Sequence, residues 1–215
     1  MRRPGKAVAA LLAMFAMSAP GFAADCRIAV LGDSLAAGYG LPLDLAFPAQ
    51  LERALRDRGL PCTVLNAGVS GDTSAAGRAR LAWVLAEAPS HLIVELGAND
   101  ALRALPVDQL EANLAAILEA ARERGIPVLL AGMLAPPNLG EAYGHSFQSV
   151  YRRLADRFGV PLYPFFLDGV MGRPELLLPD GLHPTTEGVA EIVRRILPPV
   201  LAWLEASGIP PRPAR

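Results

Sequence analysis

The sequence predicts an α/β protein with three layers, in which a doubly wound parallel β-sheet is covered by helices on both faces. Short runs rich in β-branched residues or leucine alternate along the chain with longer stretches of helical spacing. The runs are almost wholly apolar, as expected for strands that are buried on both faces. The length of 215 residues suits a single domain.

The predicted elements alternate between strand and helix. The short apolar runs predict strands at residues 27–31, 63–65, 91–96, 128–131 and 160–163, the last of which is the weakest. Helical spacing predicts helices over residues 46–58, 74–87, 107–124, 141–158 and 187–205. The first four helices are stopped by Gly59, Pro89, Gly125 and Gly159. This alternation favours a parallel sheet, because each parallel connection must cross a face of the sheet.

The composition argues against several classes of protein. Hydrophobic residues make up 52% of the chain, which is too many for a disordered protein. The 20 basic residues are balanced by 21 acidic ones, so no surplus of positive charge is available to bind the phosphates of a nucleic acid. Two cysteines are too few for a disulfide-dense scaffold or a four-thiolate zinc site.

The N-terminus has the features of a secretory signal peptide. A basic start is followed by an uncharged, mostly apolar run over residues 7–17 and then by small residues. We expect cleavage after Ala23, with Ala24 as the near alternative, so that residues 1–23 are the signal peptide and 24–206 the folded domain. The apolar run is shorter than the roughly 20 residues that span a bilayer. The mature protein, with a flexible proline-rich tail at 207–215, is expected to lack a transmembrane segment and to be periplasmic or extracellular.

Candidate site residues follow three of the predicted strands and precede the last predicted helix. Ser34 comes after the first strand, Gly71 after the second and Asn99 after the third, while Asp180 and His183 lie before the last helix. The carboxyl ends of parallel strands share one edge of the sheet, and ligands bind there in α/β proteins. We therefore expect these residues to meet at that edge.

These residue types are those of a serine hydrolase. A serine hydroxyl becomes a nucleophile when a base takes its proton, and His183 is the best base that the sequence offers to Ser34. Asp180 lies three residues earlier and can bond to the other ring nitrogen, which fixes the tautomer. The N–H groups of Ser34 and Gly71 and the side-chain amide of Asn99 would form an oxyanion hole.

Each candidate also has an ordinary structural explanation. Ser34 alone could be a helix N-cap. Asn99 and Asp180 alone could be turn residues. The structural explanation is weaker for the whole set, because the four signals occur in order at the ends of predicted elements.

Other polar residues are weaker candidates. Ser70 lacks the second glycine of the G-x-S-x-G elbow. His91 begins a strand and is interpreted as structural, and His145, at the start of a helix, competes with the better-placed His183. Glu95 lies in an apolar strand and is interpreted as hydrogen-bonded structure, although a role as one of a pair of acids stays open.

In its motifs the chain resembles the SGNH (GDSL) hydrolases. The family's blocks are Gly-Asp-Ser, a second-block glycine, Gly-x-Asn-Asp and Asp-x-x-His-Pro, and they match in order residues 32–34, Gly71, 97–100 and 180–184. Longer segments are similar to the bacterial periplasmic thioesterases, arylesterases and lysophospholipases of this family, namely 31–41, 66–81, 94–103 and 160–166.

The resemblance implies a fold and a set of roles. The sheet would be flavodoxin-like with the strand order 2-1-3-4-5. Ser34 would be the nucleophile, Asp180 and His183 the rest of the triad, and Gly71 and Asn99 oxyanion donors. Ala98 stands where the subgroup often has glycine. The family pattern leaves that position open, so the departure bears on chain-length preference rather than on the triad.

The expected function is that of an exported serine esterase acting through an acyl-enzyme. Its substrate would be a small acyl ester or thioester, or a lysophospholipid. A monomer is the favoured oligomeric state. Neither the motifs nor the resemblance implies a cofactor or a metal ion. One alternative is a carbohydrate O-deacetylase of the same family. The other is a non-catalytic periplasmic module that binds acyl ligands, against which the intact set of site residues argues.

An apolar loop follows the fourth predicted strand. Its residues Leu134, Pro136 and Pro137, with Tyr143 nearby, would line an acyl groove. Ordinary packing explains the same residues equally well.

The two cysteines are expected to form a disulfide bond. In the strand order that the resemblance implies, Cys26 and Cys62 lie at the amino ends of neighbouring parallel strands. Such strands are about 4.8 Å apart, and a disulfide accepts Cα separations of roughly 4.4–6.8 Å. An oxidising compartment favours the bond. The alternative is a pair of buried free thiols.

Overall fold

The computed structural model describes residues 26–210, whose strands form one parallel sheet. The five strands are β1 (Arg27–Gly32), β2 (Thr63–Gly68), β3 (His91–Glu95), β4 (Val128–Ala131) and β5 (Leu162–Tyr163). They lie in the order β2-β1-β3-β4-β5, which confirms the order implied by the family resemblance. The expected signal peptide (1–23), its cleavage site and the end of the tail (211–215) lie outside the described residues.

Helices cover both faces of the sheet. Those of the described chain are α1 (Ser34–Ala37), α2 (Phe47–Arg56), α3 (Ser74–Ala86), α4 (Ala98–Leu102), α5 (Val107–Glu123), α6 (Glu141–Phe158) and α7 (Thr186–Ala206). Helix α2 packs against α7, and α5 packs against both α3 and α6. These two groups form the outer layers, so the predicted three-layer fold is confirmed. Within residues 26–210, none of the helices combines the length and apolarity needed to cross a membrane.

The structure differs from the sequence prediction mainly at short elements. Helices α1 and α4 are not predicted, because four or five residues are too few to show helical periodicity. Strand β2 continues through Gly68, which pairs with Gly32 of β1. Strand β5 is limited to two residues, since Pro161 has no N–H and the N–H of Val160 donates to Ala155 at the end of α6.

A disulfide bond joins Cys26 and Cys62 at the amino-terminal edge of the sheet. The register pairs Arg27 with Thr63, which brings the Cα atoms of the two cysteines to 4.6 Å. Because strands β1 and β2 are parallel, this bond lies at the opposite edge from the residues that follow the strands.

Removing the disulfide is expected to lower stability without changing catalysis. Replacing Cys26 and Cys62 together by alanine should reduce the free energy of unfolding by about 3 kcal/mol, because the bond restricts the unfolded chain. Urea unfolding measures the loss, and kcat/KM on a soluble ester serves as the control. Two free thiols per denatured, unreduced wild-type chain would show that the bond does not form.

The outer edge of β2 is covered by side chains. The N–H of Val64 donates to a carboxylate oxygen of Glu52, on α2, at 2.9 Å. The N–H of Gly68 donates to the side-chain oxygen of Asn66 at 3.0 Å. These two backbone N–H groups, which an edge strand would otherwise leave without a partner, are therefore hydrogen-bonded within the chain.

Candidate active site

The carboxyl end of β1 turns directly into the short helix α1, which begins at Ser34. Asp33 is the N-cap of this helix, and its buried carboxylate accepts the N–H of Leu35 at 2.9 Å. Gly32 permits the tight turn, because a Cβ there would come within 2.6 Å of the Cβ of Ala36. This turn places the hydroxyl of Ser34 at the edge of the sheet.

Ser34, His183 and Asp180 form a continuous hydrogen-bonded chain. The Oγ of Ser34 lies 2.9 Å from Nε2 of His183, and Nδ1 of His183 lies 2.7 Å from Oδ2 of Asp180. A neutral imidazole that donates from Nδ1 to Asp180 leaves Nε2 free to accept the serine proton. The three residues that the sequence predicts to meet are thus in contact.

The charge of Asp180 is held by its surroundings. Its Oδ1 accepts the backbone N–H groups of His183 at 3.0 Å and Leu182 at 2.9 Å. These bonds, with the one to the imidazole, lower the pKa of Asp180 to about 2. Asp180 therefore stays ionised across neutral and mildly acidic pH, so its carboxylate can accept a hydrogen bond from Nδ1 of His183.

The segment that carries His183 is fixed just before α7. The carbonyl of His183 accepts the N–H of Leu178 at 2.7 Å, and Leu177 forms an antiparallel bridge with Pro184. Thr185 then caps α7 by accepting the N–H of Gly188 at 3.1 Å. The position of the imidazole therefore depends on the N-cap of α7 and on the antiparallel bridge between Leu177 and Pro184.

The expected oxyanion donors come from three separate segments of the chain. Ser34, Gly71 and Asn99 line one cavity. Gly71 has a φ of +87°, a value that side chains other than glycine rarely adopt, and its carbonyl accepts a guanidinium N–H of Arg103 at 2.8 Å. The turn after β2 is thereby anchored to the turn after α4.

The amide of Asn99 is already hydrogen-bonded in the free protein. Its Nδ2 donates to the carbonyl of Asp72 at 3.0 Å and to Oδ2 of Asp33 at 3.2 Å. Both N–H groups of the amide therefore have partners. An oxyanion that accepts a hydrogen bond from Nδ2 would share or replace the longer of the two bonds, which is the one to Asp33. The neighbouring Asp100 fixes the start of α3, because its carboxylate accepts the N–H of Ser74 at 2.7 Å.

Two buried acids, Asp33 and Glu95, lie close to Ser34. Burial raises the pKa of Asp33 to about 6. Burial and the nearby charge of Asp33 raise the pKa of Glu95 well above its usual value. A carboxylate oxygen of Glu95 accepts the N–H of Asp33 at 3.2 Å, which agrees with the interpretation of Glu95 as hydrogen-bonded structure.

The cavity beside Ser34 has a volume of about 660 Å³ and walls that are mostly apolar. Three of the predicted groove residues, Leu134, Pro136 and Pro137, are among its lining residues. Tyr143 is not: its hydroxyl donates to the carbonyl of Leu105 at 2.8 Å, and its ring stacks on Phe147. The structure therefore places Tyr143 in the packing of α6 rather than in the groove.

Several lining residues have no signal in the sequence. They come from segments that the fold brings together around the mouth, and include Tyr39, Leu102, Phe165, Leu167, Met171 and Leu182. They lie in loops or at a helix end, and although Tyr39, Leu102, Phe165 and Leu182 fall within segments that resemble the family, nothing in the sequence marks these side chains as cavity lining. Ser70 also lines the cavity, although the contact to His183 is made by Ser34.

The other two histidines lie away from Ser34. His91 is buried at the amino-terminal edge of the sheet, where its ring packs edge-on against Trp203, and burial lowers its pKa. His145 is exposed on α6, with Nε2 at 3.5 Å from a carboxylate oxygen of Glu141. Over residues 26–210, no three His, Cys, Asp or Glu side chains are grouped so that they could hold a metal ion.

The fold and the matched sequence segment place the chain in one family. Residues 30–190 match the GDSL-like Lipase/Acylhydrolase family, and the chain belongs to that family. The predicted class of enzyme, a carboxylic ester hydrolase, is thereby confirmed.

Named relatives cover most of the chain. An arylesterase of Vibrio mimicus is 39% identical over 191 residues, which are 87% of this chain and 95% of the relative. The thioesterase 1/protease 1/lysophospholipase L1 of Escherichia coli K12 is 37% identical over 183 residues, covering 83% of this chain and 86% of that one. The crystal structure of TesA superposes with a TM-score of 0.79 at 40% identity, covering 83% of this chain and 99% of that chain.

Replacing Asn99 by alanine is expected to lower kcat roughly 100-fold with little change in KM, because a donor to the oxyanion acts in the transition state. Steady-state kinetics on a soluble ester measures both constants. The exposed Asn138, replaced by alanine, is the matched control. A higher KM at constant kcat would instead make Asn99 a residue that binds the ground state.

Proposed function

We propose that this protein is an exported serine esterase that hydrolyses acyl esters and thioesters through an acyl-enzyme. The observation that carries the proposal is the contact of 2.9 Å between Oγ of Ser34 and Nε2 of His183, next to an apolar cavity. The ionised Asp180 at 2.7 Å from Nδ1 of His183 supports it, because this carboxylate would stabilise the imidazolium that forms during transfer.

The geometry supports a two-step reaction. As Oγ of Ser34 bonds to the acyl carbon, Nε2 of His183 takes the serine proton and the carbonyl oxygen becomes an oxyanion. The N–H groups of Ser34 and Gly71 and the amide of Asn99 donate to that oxygen. When the tetrahedral intermediate collapses, the bond to the leaving group breaks and the imidazolium gives its proton to that group. In the second step, water attacks the acyl carbon of the acyl-enzyme while Nε2 of His183 takes a proton from it. The bond to Oγ of Ser34 then breaks, Ser34 regains its proton and the carboxylic acid is released.

The cavity indicates what kind of acyl group is bound. Its lining is mostly apolar, so an alkyl chain loses no polar contacts on entering. Each methylene buried contributes about 0.8 kcal/mol. We infer that the acyl chain lies in the cavity while the leaving group points to solvent. The names of the relatives support aryl esters, thioesters and lysophospholipids as classes of substrate, which differ in their leaving group.

A series of p-nitrophenyl esters from acetyl to palmitoyl tests this proposal. We expect kcat/KM to rise by up to about fourfold for each added methylene until the cavity is filled. Activity confined to the acetyl ester would contradict the acyl-chain proposal and favour the alternative, a carbohydrate O-deacetylase. Binding of the esters without hydrolysis would favour the non-catalytic module.

Export rests on the N-terminal sequence and on the disulfide. Residues 1–23 have the pattern of a signal peptide, and a bond between Cys26 and Cys62 is typical of oxidising compartments. We infer a periplasmic or extracellular location. The mass of the protein recovered from the periplasm should correspond to a chain that begins at Ala24 or Asp25, and a full-length cytoplasmic product would contradict export.

A further inference from the structure

Tyr39 covers one face of the His183 imidazole at the mouth of the cavity. The centroids of the two rings are 4.4 Å apart and their planes are inclined by 35°. We propose that Tyr39 is a positioning residue, which keeps the imidazole aligned with Ser34 and stabilises its protonated form during acyl transfer. The proposal rests on the proposed role of His183 as the base.

The contacts of His183 leave such a role open. Its two nitrogens, at different edges of the ring, are hydrogen-bonded to Ser34 at 2.9 Å and to Asp180 at 2.7 Å. Hydrogen bonds at the two edges of the ring resist its rotation in the plane but restrain its tilt less. A ring packed against the face supplies that restraint. Because the face of an aromatic ring carries negative electrostatic potential, it also attracts the imidazolium more than the neutral imidazole.

The backbone places Tyr39 where this contact is made. Its N–H donates to the carbonyl of Ser34 at 3.0 Å, so the turn that carries the aromatic ring is tied to the nucleophile. The flanking glycines have φ values of +82° at Gly38 and +75° at Gly40. A Cβ on Gly38 would lie 2.5 Å from the Cβ of Ala46, so the turn requires glycine there.

The same turn also approaches the segment that carries His183. A Cβ on Gly40 would come within 2.7 Å of Cδ1 of Leu178. The N–H of Leu178 in turn donates to the carbonyl of His183 at 2.7 Å. Tyr39 therefore lies between the two parts of the chain whose relative position sets the distance from Ser34 to His183.

The charged groups near His183 would be unchanged by a substitution of Tyr39. They are the carboxylate of Asp180, bonded to the ring, and the buried carboxyl of Asp33 next to Ser34. The hydroxyl of Tyr39 makes no hydrogen bond within residues 26–210, and the side chain is 53% exposed. Phenylalanine thus keeps the aromatic face, whereas leucine keeps apolar bulk and loses that face.

The test compares the Tyr39→Phe and Tyr39→Leu variants on a short, soluble ester. We expect Tyr39→Leu to lower kcat about two- to thirtyfold with little change in KM. The acid limb of its kcat/KM profile should move to lower pH by roughly half a unit, because the imidazolium is less stabilised. Tyr39→Phe should behave as the wild type in both measurements.

Two comparisons decide whether Tyr39 acts through His183. Leu134→Ala removes another exposed apolar residue of the cavity mouth and should change KM for long-chain esters without moving the acid limb. If Tyr39→Leu behaves like Leu134→Ala, or if the Phe and Leu variants lose equal activity, the proposal is overturned. An acid limb that stays in place or moves to higher pH overturns it as well.

NMR titration of the His183 ring protons separates this proposal from the proposed function. In Tyr39→Leu we expect the midpoint of that titration to fall with the midpoint of the rate profile. A ring titration that does not move overturns the role of Tyr39 alone. A ring titration that moves while the rate profile does not shows that His183 is not the base, which overturns the proposed function too.

Discussion

Replacing Ser34 by alanine is expected to abolish ester hydrolysis, with a loss in kcat on the order of 10⁴- to 10⁶-fold. The variant lacks only the attacking oxygen, and its backbone N–H still lies at the start of α1. The fold should therefore be unchanged, and a short-chain ester should still bind. Burst and steady-state kinetics measure the loss, and thermal unfolding checks the fold.

The neighbouring serine of the cavity supplies the control. Ser70→Ala should retain most of the activity, because Ser70 is not the serine bonded to His183. A serine-directed fluorophosphonate should label the wild type at Ser34 and leave Ser34→Ala unlabelled. Labelling at Ser70 would show that the nucleophile has been misassigned.

Replacing His183 by alanine should reduce kcat by at least about 10³-fold, because the proton of Ser34 then has no acceptor. For the wild type, kcat/KM should rise with pH on its acid limb, since only the neutral imidazole accepts that proton. The pKa of Asp180, about 2, places its protonation far below this range, so Asp180 should add no second step near neutral pH.

His145→Ala is the matched control for that experiment. His145 is a solvent-exposed histidine on α6 and lines no part of the cavity, so its removal should leave kcat and the pH profile unchanged. A loss as large as that of His183→Ala would contradict the assignment of the base.

The parts of the site that the sequence could predict are those that follow a strand directly. Ser34, Gly71 and Asn99 each come soon after a strand, so topology alone brings them to one edge of the sheet. Asp180 and His183 are only three residues apart, and their contact depends on a single turn. The strand order itself required the family resemblance, because local periodicity carries no information on which strands are neighbours.

The walls of the cavity could not be predicted in the same way. Tyr143 is close in sequence to the loop at 133–137, but helix α6 turns its side chain toward Leu105. Tyr39 and Leu182 are far from that loop in sequence, yet both line the cavity. Their positions follow from how α1 and the segment before α7 pack together, which is a property of the tertiary structure.

The covered edge of β2 affects how the protein behaves when it is concentrated. An open edge strand offers N–H groups to a strand of another molecule, and such pairing can continue into aggregates. Glu52 and Asn66 occupy two of these donors from within the chain, so a second molecule would have to displace a carboxylate or an amide to extend the sheet. The chain therefore carries its own protection against growth of the sheet at this edge.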